Sequence, residues 1–309
     1  MKAAAKEPDY ASLPTERAHP ASRALDRIGT EGVVRLMNRE DAGIPRAVAG
    51  QVRNIARGAD LIFRSLKSGG RIYFAGAGTS GRLGVLEAAE LPPTFGTPPS
   101  LARALMAGGR ESVFRSREGA EDRAGDARRA LAGRLKKRDT LIGIAASGVT
   151  PYARAALETA RKKGAGTILV TCNAGSALKS LARVVIAPDV GPEVIAGSTR
   201  LKSGTATKMV LNMLTTAAMV RLGKVHGNLM VDLRPGSKKL VERGIRLVGR
   251  IAGLPRGEAG RLFAASGGNV KTAVIMARRG TSSARAGKIL RSAGGLLSRA
   301  LRDQGGSHD

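Results

Sequence analysis

Apolar positions divide this chain into two regimes. Across residues 15–67, Ile44, Val48, Val52, Ile55, Leu61, Ile62 and Leu66 recur about every 3.6 residues, which predicts a helical N-terminal arm within residues 1–67. From Gly70 onward the pattern becomes short apolar runs at 71–75, 104–107, 140–145, 167–171 and 184–187, separated by amphipathic helical stretches. Five short strands alternating with helices predict an α/β domain over residues 68–232: an αβα sandwich whose five-stranded parallel sheet is covered on both faces. An apolar helix within 198–222 closes it. Three short helical patterns, broken at 253–255 and 266–268, predict a small helical subdomain over 233–279. Residues 280–309 are rich in Arg, Gly and Ser and read as a basic, flexible tail.

Two strand ends carry candidate chemistry. The first apolar run leads into Gly76-Ala-Gly-Thr-Ser-Gly-Arg82, where glycines permit a tight turn and a helix N-terminus offers unpaired N–H groups to an anion. Gly76, Gly78 and Gly81 also fit the spacing of a dinucleotide-binding turn. That alternative needs an acid at the end of the next strand to hold a ribose, and the run there ends in Gly108-Gly-Arg110. The hydroxyls of Thr79 and Ser80 instead suit a terminal phosphate. The third strand ends similarly, in Ala145-Ala-Ser-Gly-Val-Thr-Pro151, with the proline suited to a first helical turn. Ser147 and Thr150 are either plain helix caps or, paired with Thr79 and Ser80, the other half of a phosphate cradle.

Composition narrows the classes. With 52 basic and 24 acidic residues the formal net charge is +28, and 21 basic residues face 5 acidic ones between Arg200 and Asp309. Such an excess favours anionic partners. Aromatics make up only 3% of the chain, and Arg234, Lys238, Lys239, Arg243, Arg246 and Arg250 are spaced as a solvated helix face, so a nucleic-acid partner is disfavoured. The single cysteine, Cys172, excludes an internal disulfide, and His19, His226 and His308 have no metal-ligand or triad spacing. No segment has the length of a membrane span, and residues 1–20 lack a signal-like apolar core, so a cytoplasmic protein is expected.

Carboxylates are therefore the proton-transfer candidates: Glu87 and Glu90 on the helix after the first loop, and Glu118, Glu121 and Asp122. Pro92 and Pro93 predict that this helix ends at Glu90. The blocks Gly76-Ala-Gly-Thr-Ser-Gly-Arg-Leu-Gly-Val-Leu-Glu-Ala-Ala-Glu-Leu-Pro-Pro-Thr-Phe-Gly96, Glu118-Gly-Ala-Glu-Asp122, Ala145-Ala-Ser-Gly-Val-Thr-Pro-Tyr152, Gly191-Pro-Glu193 and Gly197-Ser-Thr-Arg-Leu-Lys-Ser-Gly-Thr-Ala206 closely resemble the N-acetylmuramic acid 6-phosphate etherases, enzymes of the sugar isomerase (SIS) fold. The likeness runs from Thr15-Glu16 to Asn269-Val-Lys-Thr-Ala273.

This resemblance implies a carbon–oxygen lyase that releases D-lactate and N-acetylglucosamine 6-phosphate during amino-sugar recycling, with no cofactor and no metal. Glu90 matches the family acid that protonates the departing lactate. Glu121 matches the second catalytic glutamate, here assigned as the base at C2, and burial of the two near each other would separate their pKa values. Gly78, Thr79, Ser80, Gly81, Ser147, Gly148 and Thr150 match the phosphate loops, and Glu193 and Lys202 are expected to meet the sugar or its lactyl carboxylate. A homodimer with shared active sites is implied as well. Val149 stands where the family usually carries a polar or basic residue, and His19 where it commonly has asparagine. The rival readings are a non-catalytic sugar-phosphate sensor resembling glucokinase regulatory protein and a sugar-phosphate isomerase.

Overall fold

The computed structural model describes residues 10–233 and 235–302. Arg234, His308 and the last residues of the expected tail lie outside them. The chain forms two compact units, one comprising residues up to Ala89 with Ser100–Thr215, the other Glu90–Pro99 with the residues from Thr216 onward.

The first unit contains α1 (Thr30–Asp41), α2 (Ile44–Ala49) and α3 (Val52–Lys67), followed by β1 (Ile72–Gly76) and the start of α4 (Gly78–Phe95). Then come β2 (Ala102–Met106), α5 (Ala124–Leu131), β3 (Thr140–Ile144), α6 (Pro151–Lys162), β4 (Gly166–Val170), β5 (Val184–Ile186) and α7 (Lys202–Arg221). All five expected strands are present, their ends shifted by at most a few residues. They form one parallel sheet in the order β2-β1-β3-β4-β5. Every residue of β1, β3 and β4 is buried, as continuous apolar runs in a doubly covered sheet require.

Alternation of side chains sorts the layers. Tyr73, Leu141 and Leu169 face a core shared with Leu131 of α5 and Leu157 of α6. On the other face, a Cβ built at Gly58 of α3 would lie 2.7 Å from Leu214 of α7 and 3.5 Å from Ile168, so α3 packs tightly against the sheet and α7. The expected N-terminal arm is thus part of this layer rather than separate from the domain.

Helix α4 corrects one expectation. It does not stop at Glu90 but continues to Phe95 with Pro92 and Pro93 inside it. Each proline removes one N–H donor near the helix end, and Gly96, at φ +62°, terminates the helix while its N–H donates to the Pro92 carbonyl at 3.0 Å. Helix α7 begins at Lys202, four residues later than the expected start at Ser198.

The second unit holds the hairpin β6 (Val225–His226) and β7 (Leu229–Met230), then α8 (Lys238–Ala252), α9 (Arg256–Ala265), α10 (Val270–Arg279), α11 (Ser283–Ser292) and α12 (Leu297–Arg302). Residues 280–302 are therefore not a flexible tail: Ala286, Leu297 and Ala300 are buried with Val274, Val248 and Phe263 in one core. The apolar residues that anchor α11 and α12 are sparse among arginines and glycines, which is why composition hides them. Lys271 is buried in this unit, pairs with Asp232 at 2.7 Å and donates to the Gly223 and Gly295 carbonyls at 3.0 Å each. Burial lowers its pKa against the opposing pull of Asp232.

Gly84 supplies a test of the α4 contact. A Cβ there would sit 2.8 Å from Cβ of Phe74, an atom fixed by the β1 backbone. Gly84→Ala should lower unfolding stability by about 1–3 kcal/mol, read from denaturant midpoints, despite alanine's better helix propensity.

Candidate functional site

Strands β1 and β3 are neighbours in the sheet, with Gly76 paired to Ile144, so the two strand ends open at the same level. The strand order reverses between them, and the crevice at such a reversal is where open α/β sheets bind ligands. A cavity of about 340 Å³ is found at these strand ends, lined by Ala77, Gly78, Thr79, Ser80, Ala146, Ser147, Val149, Thr150 and Pro151. Glu121, Asp122, Glu16 and Thr199 also line it. That volume suits a monosaccharide phosphate.

The first loop is tighter than expected. Helix α4 begins at Gly78, which places Thr79 and Ser80 in its first turn, where N–H groups lack intrahelical partners. Gly81 allows this approach: a Cβ there would come 2.5 Å from the Gly76 carbonyl oxygen. In the second loop Gly148 adopts φ +74°, and a Cβ would meet Ser176 at 2.5 Å. Thr150 precedes α6 without making a side-chain cap bond. Among the described residues the half-buried hydroxyls of Thr79, Ser80, Ser147 and Thr150 make no hydrogen bond within the chain, so all four are available to a ligand.

The lining carries three carboxylates, Glu16, Glu121 and Asp122, and among the described residues no Lys or Arg. An anion placed here would meet two helix N-termini and hydroxyls rather than cations. Arg82 is occupied elsewhere: its guanidinium donates to the carbonyls of Val113 at 2.8 Å and Ser112 at 3.0 Å, bracing the chain that leads to Glu121.

The second loop has a support that the sequence reading passed over. Asn173 Nδ2 donates to the Ser147 carbonyl at 2.8 Å, Thr171 Oγ1 to the Ala146 carbonyl at 3.2 Å, and Ser176 Oγ to the Gly148 carbonyl at 2.5 Å. These residues follow β4 in Thr171-Cys-Asn-Ala-Gly-Ser176, a third small and polar strand end whose composition was the available signal. Cys172 within it is buried, and burial, partly offset by a hydrogen bond with Ser203, pushes its thiol up to about 11, leaving it an inert thiol.

Other expected site residues take structural roles. Glu193 is fully buried and accepts the N–H groups of Lys202 and Ser203 at 2.9 Å each, so it caps α7 instead of lining the cavity. Lys202 is buried with Nζ 3.3 Å from Glu40 Oε2, the same oxygen that His19 Nε2 approaches at 2.8 Å. Burial pushes the Glu40 carboxyl up, but His19 and Lys202 together outweigh it and hold its pKa below the ordinary value. Glu87 is buried, accepting from Thr215 Oγ1 at 2.5 Å and from Lys208 at 3.3 Å. Glu90, on α4, and Glu121, at the end of β2's following segment, are both exposed, so this chain alone does not bury either as expected.

A family profile described as the glucokinase regulatory protein N-terminal SIS domain matches residues 54–161, and the SIS domain profile matches 122–217. An N-acetylmuramic acid 6-phosphate etherase from Symbiobacterium thermophilum is 50% identical over 85% of this chain and 88% of its own length. One from Rhodopirellula baltica is 47% identical over 94% of this chain and 96% of its own. The chain belongs to the N-acetylmuramic acid 6-phosphate etherase family. Among solved structures, a phosphoheptose isomerase from Neisseria gonorrhoeae is similar at a TM-score of 0.49 and 16% identity, over 61% of this chain and 98% of its own. Among the described residues of this etherase-family chain, no group of three or more His, Cys, Asp or Glu could hold a metal ion, and no helix is long and apolar enough to cross a membrane.

Two measurements check the site's supports. Asn173→Ala removes the bond to the Ser147 carbonyl and should weaken sugar-phosphate binding about tenfold by calorimetry, through a loosened second loop. Glu40→Gln leaves the buried Lys202 ammonium poorly compensated and should cost roughly 3 kcal/mol at neutral pH. Because the Glu40 pKa is lowered by folding, its stabilisation is present above the ordinary glutamate pKa and lost as pH falls through the lowered value. The melting-temperature gap between wild type and Glu40→Gln should therefore narrow below about pH 4.

Proposed function

We propose that the protein cleaves the D-lactyl ether of N-acetylmuramic acid 6-phosphate, yielding N-acetylglucosamine 6-phosphate and D-lactate in cell-wall amino-sugar recycling. The observation that carries this reading is the single cavity in which two open helix N-termini and four free hydroxyls meet Glu121, in a chain 50% identical to a named etherase. The 6-phosphate binds at Thr79, Ser80, Ser147 and Thr150, with the backbone of Gly78, Gly81 and Gly148 approaching its oxygens.

The chemistry follows from the open-chain sugar. Its C2 hydrogen is acidic because the C1 aldehyde stabilises the resulting enolate. Glu121 as carboxylate removes that proton. Glu90 as carboxylic acid protonates the ether oxygen at C3, the C3–O bond breaks, and lactate departs with the electron pair, leaving a C2–C3 double bond conjugated to the aldehyde. Water then adds at C3 and a proton returns to C2, so overall one water molecule cleaves the ether.

The same reading makes the enzyme a cytoplasmic homodimer. Exposed Leu86 on α4 and Met213 on α7 support a helical face that a second copy would cover, and closure by that copy would dry the environment of the two glutamates.

Incubating the purified protein with N-acetylmuramic acid 6-phosphate should release D-lactate. Saturable binding without release would favour a sensor, and formation of a ketose phosphate an isomerase. Glu90→Gln and Glu121→Gln should each reduce release at least 100-fold, roughly the weight of a general acid or base. In deuterated water only Glu90→Gln should still exchange the substrate's C2 hydrogen; equal exchange in both variants would refute the division of roles.

A further inference from the structure

Glu16 lines the cavity yet has no part in the chemistry above. We propose that Glu16 is a specificity-determining residue, a carboxylate that accepts hydrogen bonds from the sugar's hydroxyls and so fixes how the sugar phosphate lies in the cavity. The inference rests on the sugar-phosphate reading of that cavity.

Three features distinguish Glu16 from an ordinary surface glutamate. The first is its backbone, which is pinned on both sides. Glu16 ends the 3-10 turn Pro14–Glu16, flanked by buried Leu13 and Thr15, and the Thr15 carbonyl accepts the Gly197 N–H at 2.9 Å. Three residues further on, His19 Nδ1 accepts the Ala21 N–H at 3.2 Å, which leaves the proton on Nε2 to donate to Glu40 at 2.8 Å. Glu40 is in turn held by the buried Lys202.

The second feature is the space reserved for the carboxylate. A Cβ at Gly197 would come 2.9 Å from Glu16 Oε2, and Gly197 is at φ +77°, so a side chain there would be strained and would crowd the acid. The third is that among the described residues the Glu16 carboxylate makes no hydrogen bond or ion pair, a state it shares with Glu121 and Asp122 of the same lining, whereas Glu40, Glu87 and Glu193, which lie outside the lining, are all engaged. It is an acceptor without a donor, exposed at the cavity edge on a fixed stretch of backbone.

Charge decides which part of the substrate supplies that donor. An ionised carboxylate only accepts hydrogen bonds, and it repels both the phosphate and the lactyl carboxylate. It therefore fits the uncharged middle of the molecule, where the open-chain sugar carries hydroxyls between the phosphate end and the ether carbon. Such bonds to an ionised acceptor are the stronger kind. With the phosphate anchored at the two loops and the hydroxyls at Glu16, rotation of the sugar about the phosphate is restricted, and C2 is presented to Glu121 in one pose.

The test compares N-acetylglucosamine 6-phosphate and inorganic phosphate as calorimetric ligands for wild type, Glu16→Ala and Glu16→Gln, alongside lactate release. Glu16→Ala should weaken the sugar phosphate about tenfold or more while changing phosphate less than about twofold. Glu16→Gln, which keeps an acceptor oxygen, should lie between. In turnover, KM should rise more than kcat falls. Equal weakening of both ligands, or no effect on either, would overturn the role of Glu16 while leaving the etherase reading intact. Failure of wild type to bind the sugar phosphate or release lactate would remove that reading, and this inference with it.

Discussion

The pairing of β1 with β3 is the constraint on which the rest depends. Crossovers in a parallel sheet are right-handed, so the chain leaves these adjacent strands toward opposite faces. Helix α4 packs over the Phe74 side, where Gly84 permits contact, while Leu157 of α6 belongs to the core on the Tyr73 side. The divergence opens a crevice, and the matched register of Gly76 and Ile144 sets both helix beginnings at its floor. The hydroxyls and carboxylates matter because this geometry brings them to one place.

The electrostatics of the crevice have an internal logic. Lys or Arg beside the phosphate would bind it more strongly, but either would also pair with Glu121 and draw down its basicity. On the proposed reading, helix ends and hydroxyls would hold the anion without placing a full positive charge near Glu121, the proposed base. Such partial charges work only when their positions are fixed. The hydrogen bonds from Thr171, Asn173 and Ser176 supply that fixity to the second loop, and Arg82 braces the segment after β2 that leads to Glu121.

What could be read from the sequence was local. Strand positions were legible because doubly buried strands are uninterrupted apolar runs, and the two hydroxyl loops because glycine and hydroxyl residues cluster where each strand ends. The N-terminal extent of α4 differs from the expectation because glycines that read as a loop form its first turn, and its C-terminal extent because the helix runs on through Pro92 and Pro93 until Gly96, at positive φ, ends it. The roles of Glu193 and Lys202 were not legible at all: nothing near Lys202 in sequence announces that its ammonium meets Glu40, and a glutamate capping a distant helix looks like any polar residue in a loop. Residues 280–302 hid their helices because a handful of apolar anchors suffices when a preformed core receives them.

Glu193 has one more consequence. Helix α7, like α4 and α6, starts in a loop beyond the sheet, and its first N–H groups would attract an anion as theirs do, but the Glu193 carboxylate already occupies them. A substrate with a negative group at each end thus finds a single docking point rather than two competing ones. The built-in carboxylate acts as a permanent pseudo-ligand of α7, and on the proposed reading it would disfavour a two-headed anion binding back to front.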